Sequence, residues 1–420
     1  GGKDEKLRIS ELEQQQKELI SVEKIYSTEN IFSEEKSLKT KINLSKPKNL
    51  TSWPMSGLNH QNLIGNIYLT GSENIFLKKK IGKNKFSLSK INSSPLVYNN
   101  NIFISDDKGT IFNVSVNGSL NWKRNIYKKL YKKVYKNITL SIDKDYVYAA
   151  DNIGFVYAID LRDGKVIWIK NHGIPLKSKI KIYKDKVVLV NQDNRILCFN
   201  ARDGSLIWDV RSISSFIKTQ NFLSTALSKT GHIIVSNSSG DLIKIDLETG
   251  QVEWSLNTLG YLSKHATDFF KSSDVIIVNE NIIFSNQSTF FSYNLLNGYT
   301  NWEKDISSIG TPIIDGNNIF FVTENGFFII MDLNNGNIIS STNILSVLKK
   351  RKQSTKITGF IMGSGRIYAV TLNGYLISSS ATSGKVESYK KIGDSIVSNP
   401  IISNGNLYVY TKKSKIIGLN

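Results

Sequence analysis

Apolar runs of five or six residues alternate along most of this chain with clusters of Gly, Asn, Asp and Ser. Runs of that length read as strands, and the polar clusters read as the turns between them. Around the turn that holds Gly164 the pattern predicts strands at residues 139–142, 146–150, 155–159 and 165–169. Later units parse the same way: residues 186–190, 233–236, 282–285, 319–322 and 366–370 each fill the second of four strand positions. The breaks are turn-rich, as in NNN at 99–101 and DGNN at 315–318.

One phrase recurs across the third and fourth strands. In full it reads DLRDGKVIW, with Asp160, Gly164 and Trp168 each four residues apart. It returns as Asn200, Gly204 and Trp208, as Asp246, Gly250 and Trp254, and as Asn294, Gly298 and Trp302. An eroded first copy has Gly118 and Trp122. Two late copies keep the glycine and lose the ring: Asp332, Gly336 and Ser340, then Ser380, Gly384 and Ser388. Asp or Asn at a strand end can bond the backbone of the next turn. Glycine supplies the positive φ of a tight reversal. Tryptophan offers a flat apolar face wide enough to fill a wedge between neighbouring units. These residues read as architecture and not as a catalytic site.

Successive glycine marks lie 38 to 48 residues apart. A period in that range, with strand text between the marks, is the signature of a β-propeller with one four-stranded blade per repeat. Seven marks predict seven near-complete blades. Residues 397–403, 407–411 and 415–419 add three strands without a fourth, while ENIFLKKKI at 73–81 is a strand with no blade of its own. Pairing the two completes an eighth blade and removes the free sheet edges of an open ring. The prediction is an all-β, eight-bladed propeller of four-stranded antiparallel blades over residues 51–420, closed by an N-terminal strand.

Residues 1–50 differ in texture. Ser10 and Glu13 form a capping box, and Leu12, Leu19, Val22 and Tyr26 follow helical spacing that Gln15 and Gln16 interrupt. A helix is predicted within about 4–28, with a start near 11, followed by a polar linker. It serves either as a tether or as a docking helix for a partner.

Composition narrows the remaining choices. The 420 residues are 40% hydrophobic, and no run approaches the roughly 20 apolar residues of a membrane span. The chain opens Gly-Gly without methionine, so a removed leader is expected. The formal net charge is +19, with lysine-rich text at 127–137 (YKKLYKKVYKN) and 349–352 (KKRK). A solvated lysine surface and attraction to anionic lipid or an acidic partner both fit; nucleic acid is not assigned as a partner.

The single cysteine, Cys198, excludes an internal disulfide and reads as a buried thiol in a third strand. His60, His172, His232 and His265 show no metal-ligand spacing, and no phosphate-binding glycine loop or nucleophile elbow occurs. Asp163, Asp203 and Asp241 sit at turn positions, where local backbone bonding accounts for them. No catalytic residue, metal site or cofactor is assigned.

The phrase Ala158-Ile-Asp160-Leu-Arg-Asp163-Gly164-Lys-Val-Ile-Trp168 resembles the tryptophan-docking motif of pyrroloquinoline-quinone-type propeller repeats. Within that superfamily, residues 50–420 resemble the BamB-like outer-membrane assembly lipoproteins. The eight-blade count, the closing strand and WPMSGLNHQN at 53–62 carry that likeness, with Leu58 replacing a second glycine of the W-P-x-x-G-G-N pattern. The resemblance implies a non-enzymatic scaffold on the periplasmic face of the outer membrane, held by a lipidated cysteine ahead of Gly1. Its implied partners are the periplasmic POTRA domains of a BamA-like insertase, other assembly-machinery subunits and unfolded β-barrel precursors. The contact loop lies between the third and fourth blades, here residues 211–223 (RSISSFIKTQNFL), with Arg211, Phe216, Ile217 and Lys218 as partner-binding candidates. Two alternatives stay open: a propeller that binds another ligand or peptide, and a quinoprotein dehydrogenase. Those enzymes resemble the repeats but carry an adjacent cysteine pair, which one cysteine cannot supply.

Overall fold

The computed structural model describes residues 2–23, 32–38, 40–85, 94–212, 222–259, 270–308 and 310–420. Eight four-stranded antiparallel sheets follow one another around a ring. We number them blades 1 to 8, with strands A to D running from the axis outward. Blade 1 runs from Leu96–Tyr98 to Leu120–Asn125, and blade 7 from Ile357–Gly363 to Val386–Lys391. Blade 8 joins Ile401–Ser403, Asn406–Tyr410 and Lys415–Leu419 to Ile75–Lys80, which pairs antiparallel with Lys415–Leu419 as the outermost strand. The ring is therefore latched by two strands from opposite ends of the sequence, as predicted. Strand A of this blade is shorter than the expected 397–403; Pro400, which lacks an N–H for a ladder, immediately precedes it.

Burial falls outward across each blade. Strands B and C are sandwiched between neighbouring blades and are almost wholly buried, as in Lys186–Val190 and Arg195–Asn200. Strand D faces solvent, and in Val166–Asn171 only Trp168 is buried. A bulge between strands C and D puts Trp168 opposite Ala158 and leaves Ile167 unpaired. The extra residue re-aims the side chains that follow, which lets the indole turn toward the next blade.

Each of the five phrase tryptophans closes a seam in the same way. Trp122 Nε1 donates to Leu161 O at 2.8 Å, and Trp168 Nε1 to Ala201 O at 2.9 Å. Trp208, Trp254 and Trp302 donate likewise to Leu247, Leu295 and Leu333. Every acceptor is the residue after the Asp or Asn of the next blade's phrase, as Leu161 follows Asp160. The ring lies against that phrase's glycine: a Cβ on Gly204, at φ 75°, would stand 2.4 Å from Trp168. Glycine is thus required there for the turn and for the close approach.

The five seams are not equally tight, which the uniform phrase does not predict. A Cβ on Gly164 would stand 2.7 Å from Trp122, and one on Gly250 the same distance from Trp208, whereas one on Gly298 would stand 3.1 Å from Trp254. Gly250 and Gly298 are only half-buried, unlike Gly164 and Gly204, and so are the rings that cover them, Trp208 and Trp254. The seams on either side of blade 4 are thus partly open to solvent. Where the ring is lost, Gly384 faces Thr342 and Ser340, and at the closing seam Gly118 faces Lys79 and Leu77.

The N-terminal helix, α1, spans Gly2–Glu23 and so begins well before the capping box at Ser10. Asp4 and Glu5 occupy its first turn, where they favour the positive end of the helix dipole. Tertiary contact supports the early start. Ile9 and Leu12 are buried with Tyr131, Val134 and Ile153, Tyr131 Oη donates to Glu5 Oε1 at 2.9 Å, and the Arg8 guanidinium donates to Ile153 O. The lysine-rich stretch at 127–137 is therefore a platform whose Tyr131 and Val134 point inward and whose Lys128, Lys129, Lys132 and Lys133 are exposed, while Lys136 is buried and donates to Tyr131 O at 2.6 Å. Tyr26, part of the predicted stripe, lies outside the described residues. Further along, Lys36 exchanges two 3.0 Å backbone hydrogen bonds with Ser341, adding a bridge to the outer edge of blade 6. No helix among the described residues is long and apolar enough to cross a membrane.

Candidate functional site

The axis of the ring holds a feature that repetition did not announce. Residues 53–70 wind around it and hydrogen-bond to all eight blades in order. Trp53 bridges Val97 of blade 1, and Ile142 N of blade 2 donates to Pro54 O at 2.7 Å. At blade 3, Lys181 Nζ donates to Ser56 O and Asn59 O at 2.7 and 2.6 Å. Leu227 N of blade 4 and Ile277 N of blade 5 donate to His60 O and Gln61 O. Asn62 Nδ2 spans the same two blades, donating to Thr225 O at 3.0 Å and Val275 O at 2.8 Å. Ile314 N and Ser364 N donate to Ile64 O and Ile67 O, and Thr70 N donates to Gly405 O. Strand A is the innermost strand of each sheet, and the belt bonds to it, or to the turn that follows it, in every blade.

The belt explains WPMSGLNHQN. Trp53 is 2% exposed and anchors its start. Gly57, at φ 76°, leaves room for Asn62, whose Oδ1 would lie 2.0 Å from a Cβ there. Leu58 takes φ 73°, the conformation a second glycine would adopt without strain. Burial pulls the Lys181 amine down to about 7, yet either protonation state keeps the two N–H groups its carbonyl partners need.

The predicted partner-binding residues lie elsewhere. Arg211 ends strand D of blade 3, Leu206–Arg211, and is exposed. Across from it stands Arg195, whose guanidinium pairs with Asp209. Phe216, Ile217 and Lys218 lie outside the described residues. Both described flanks of that segment are anchored. Ser212 Oγ donates to Asn194 O and accepts from Asn237 Nδ2 at 3.0 Å. Leu223 is buried and exchanges backbone hydrogen bonds with Lys177 and Lys179. The described residues on either side of that segment are thus fixed to blades 3 and 4.

Two further groupings were not legible as motifs. Ligand atoms of His232, Asp246 and Glu253, on strands B, C and D of blade 4, all lie within 4.8 Å of one another. Glu253 already pairs with His232 Nε2 at 2.6 Å and Lys244 Nζ at 3.3 Å, while Asp246 accepts turn amides. The arrangement is an ion-pair ladder, visible only once strand register is known. The second grouping does have a sequence signal. The B–C turns begin with Asp106, Asp151, Asn191, Asn237, Asn286, Thr323, Thr371 and Thr411, and a glycine follows three residues on in five of the eight. Asp151 Oδ1, for example, accepts from the amides of Ile153, Gly154 and Phe155. Of the turn aspartates, Asp163 and Asp203 do accept nearby amides. Asp241 instead begins strand C and accepts from the Asn237 and Asn257 side chains. Cys198 is buried in strand C of blade 3, and burial pushes its thiol up to about 12.

These features define the class of structure: an eight-bladed β-propeller with five indole-closed outer seams and an inner rim bound by its own chain. Comparison with known proteins gives the family. The family model described as outer membrane protein assembly factor BamB matches residues 69–170 and 171–342. The chain belongs to that family. BamB of Moranella endobia is 22% identical over 275 residues, 64% of this chain and 68% of the relative. Among solved structures, BamB from Moraxella catarrhalis superposes with a TM-score of 0.67 at 13% identity, covering 81% of this chain and 99% of that one. Quinohemoprotein alcohol dehydrogenase from Comamonas testosteroni shares the fold at a TM-score of 0.62 and 12% identity, covering 85% and 76%.

Proposed function

We propose that this chain is a non-catalytic subunit of the outer-membrane β-barrel assembly machinery, working on the periplasmic face of the outer membrane. Membership of the BamB family is the observation that carries the reading. Its task is to hold the insertase's periplasmic POTRA domains and the incoming barrel precursor near each other, raising their local concentration without changing a covalent bond. The segment from Arg211 to Leu223 is the assigned insertase contact, with Phe216 and Ile217 as apolar anchors and Lys218 as a basic one. The fixed positions of its flanks, Ser212 and Leu223, favour this, because anchored ends reduce the freedom lost on binding.

Precursor capture fits strand addition to a blade edge. Strand D of blade 2 is the outer edge of its sheet and presents Ile167 and Ile169, 46% and 40% exposed. The chain uses the same chemistry on itself where Lys36 bridges Ser341 on blade 6.

Two observations favour binding over quinone chemistry. The sole cysteine is buried within a strand, and residues 53–70 line the channel on the axis. Added quinone with calcium should neither bind nor support dye reduction; reduction would reverse this part of the reading. The direct test is pull-down from envelope extracts. Phe216→Ala with Lys218→Ala should weaken co-purification with a large barrel protein carrying repeated soluble domains. Undiminished recovery removes the loop from the site.

A further inference from the structure

The two faces of the ring carry different connections. A–B and C–D turns open on one face, while B–C turns and the links between blades open on the other. On this second face, charge is unevenly shared. Over blades 7, 8 and 1 it is built from residues 349–356, 371–374, 392–400, 411–414, 81–85, 106–109 and 126–137. These segments hold fifteen Lys or Arg against three Asp, and of the fifteen only Lys136 is buried; α1, packed on 127–137, adds four cations and six acids, so the arc stays strongly positive. Across the ring, residues 172–180, 191–194, 237–240, 270–275, 286–289, 305–308 and 323–326 hold three cations against four acids.

The basic arc is physically continuous. Asn373 Nδ2 donates to Lys352 O, Ile392 N to Gly374 O, and Lys413 N to Asp394 Oδ2. Asn84 N then reaches Ser414 Oγ, Lys83 N reaches Asp106 Oδ2, and Lys136 N reaches Asp107 O. Asp106 and Asp107 are themselves buried and accept backbone amides. The KK pairs at 128–129 and 132–133, with Lys349, Lys350 and Arg351, are exposed. Burial of Tyr131 and Val134 against α1 fixes that outward presentation.

We propose that this arc is a docking face for an anionic phospholipid bilayer. It is broad, spanning three blades, and dominated by lysines, compact point charges suited to a diffuse field of phosphates. None of the large exposed apolar or aromatic side chains, such as Tyr68, Tyr299 or Tyr389, stands on these segments. It therefore lacks the stacking platform that single-stranded nucleic acid uses. The proposal rests on charge placement and is independent of the insertase contact.

Co-sedimentation of the full chain with vesicles tests it. Binding should appear with phosphatidylglycerol mixed into phosphatidylethanolamine, be absent with phosphatidylcholine, and fall with salt. Each basic residue near such a surface is worth roughly fivefold, so Lys349→Glu with Lys350→Glu and Arg351→Glu should lower partitioning by at least about tenfold. Lys128→Glu with Lys132→Glu should act in the same direction. A control on the opposite face, Lys165→Glu with Lys229→Glu and Lys385→Glu, should lose much less. Equal loss in the control, indifference to anionic lipid, or tighter binding to an RNA oligomer that displaces the vesicles would overturn the proposal.

Discussion

The outer seams and the inner belt hold the same blades by opposite means. At the periphery, one apolar ring and one indole hydrogen bond are repeated five times, each joining a blade only to its successor. At the axis, a single unrepeated thread touches every blade through backbone, amide and, at blade 3, lysine amine hydrogen bonds. The seams are local and interchangeable; the belt is global and has no second copy. The belt matters most where the seams are weakest. Around blades 6 to 8, where serine replaces tryptophan, the N-terminal segment adds further ties: Ser45 N to Asp315 at 2.7 Å, Gly365 N to Asn66 Oδ1 at 2.9 Å and Asn404 N to Leu50 O at 2.6 Å.

The largest effect should come from breaking one seam. Trp168→Ala should destabilise the protein by about 3–5 kcal/mol in urea unfolding, through the cavity and the abandoned Ala201 carbonyl. Ser340→Ala, at the matching place in a ring-free seam, should cost under about 1 kcal/mol. Similar values for the two would mean the indole is not what closes the seam.

Next comes the belt. Asn62→Ala strands two buried carbonyls, Thr225 O and Val275 O, and should cost about 2 kcal/mol or more. A negligible change would show that the belt decorates a ring already complete without it.

A pH series sharpens the same point. Between the folded value of Lys181, about 7, and its ordinary value of 10.5, the unfolded chain retains a proton that the folded chain has released. Stability should therefore rise with pH across that window. Lys181→Met should flatten the rise; thermal melts with identical slopes would assign it to another group.

The smallest expected change is at Leu58. Relief of its left-handed backbone by Leu58→Gly is opposed by lost packing and by a looser unfolded chain, so stability should stay within about 1 kcal/mol. A larger loss would make the Leu58 side chain, and not the turn, the reason for that residue.

What could be read from the sequence follows the same division. Phrase residues recur, so Gly164, Trp168 and their counterparts were recognisable, as was the eighth blade once Ile75–Lys80 lacked partners of its own. How far each ring is covered was not, because Gly250 and Gly298 carry the same phrase as Gly164 and differ only in what their neighbouring blades leave uncovered. The belt occurs once, and its hydrogen bonds run to eight distant strands, so nothing local marks Asn62 or Lys181. The helix start was misplaced because Ser10 and Glu13 are a sound local cap, while Glu5, Arg8 and Ile9 find their partners at Tyr131 and Ile153. Of the candidate partner site, only the position between blades 3 and 4 was legible. Arg211 is fixed by strand pairing, whereas Phe216 to Lys218 have no repeat to place them.

Latching also sets an order of events. Ile75–Lys80 and the belt are synthesised first, yet neither can reach its final partners until Lys415–Leu419 and every intervening blade exist. During that interval the leading end of the molecule is a waiting guest without its host. Its exposed strand, IFLKKK, carries three lysines that discourage pairing with a stranger.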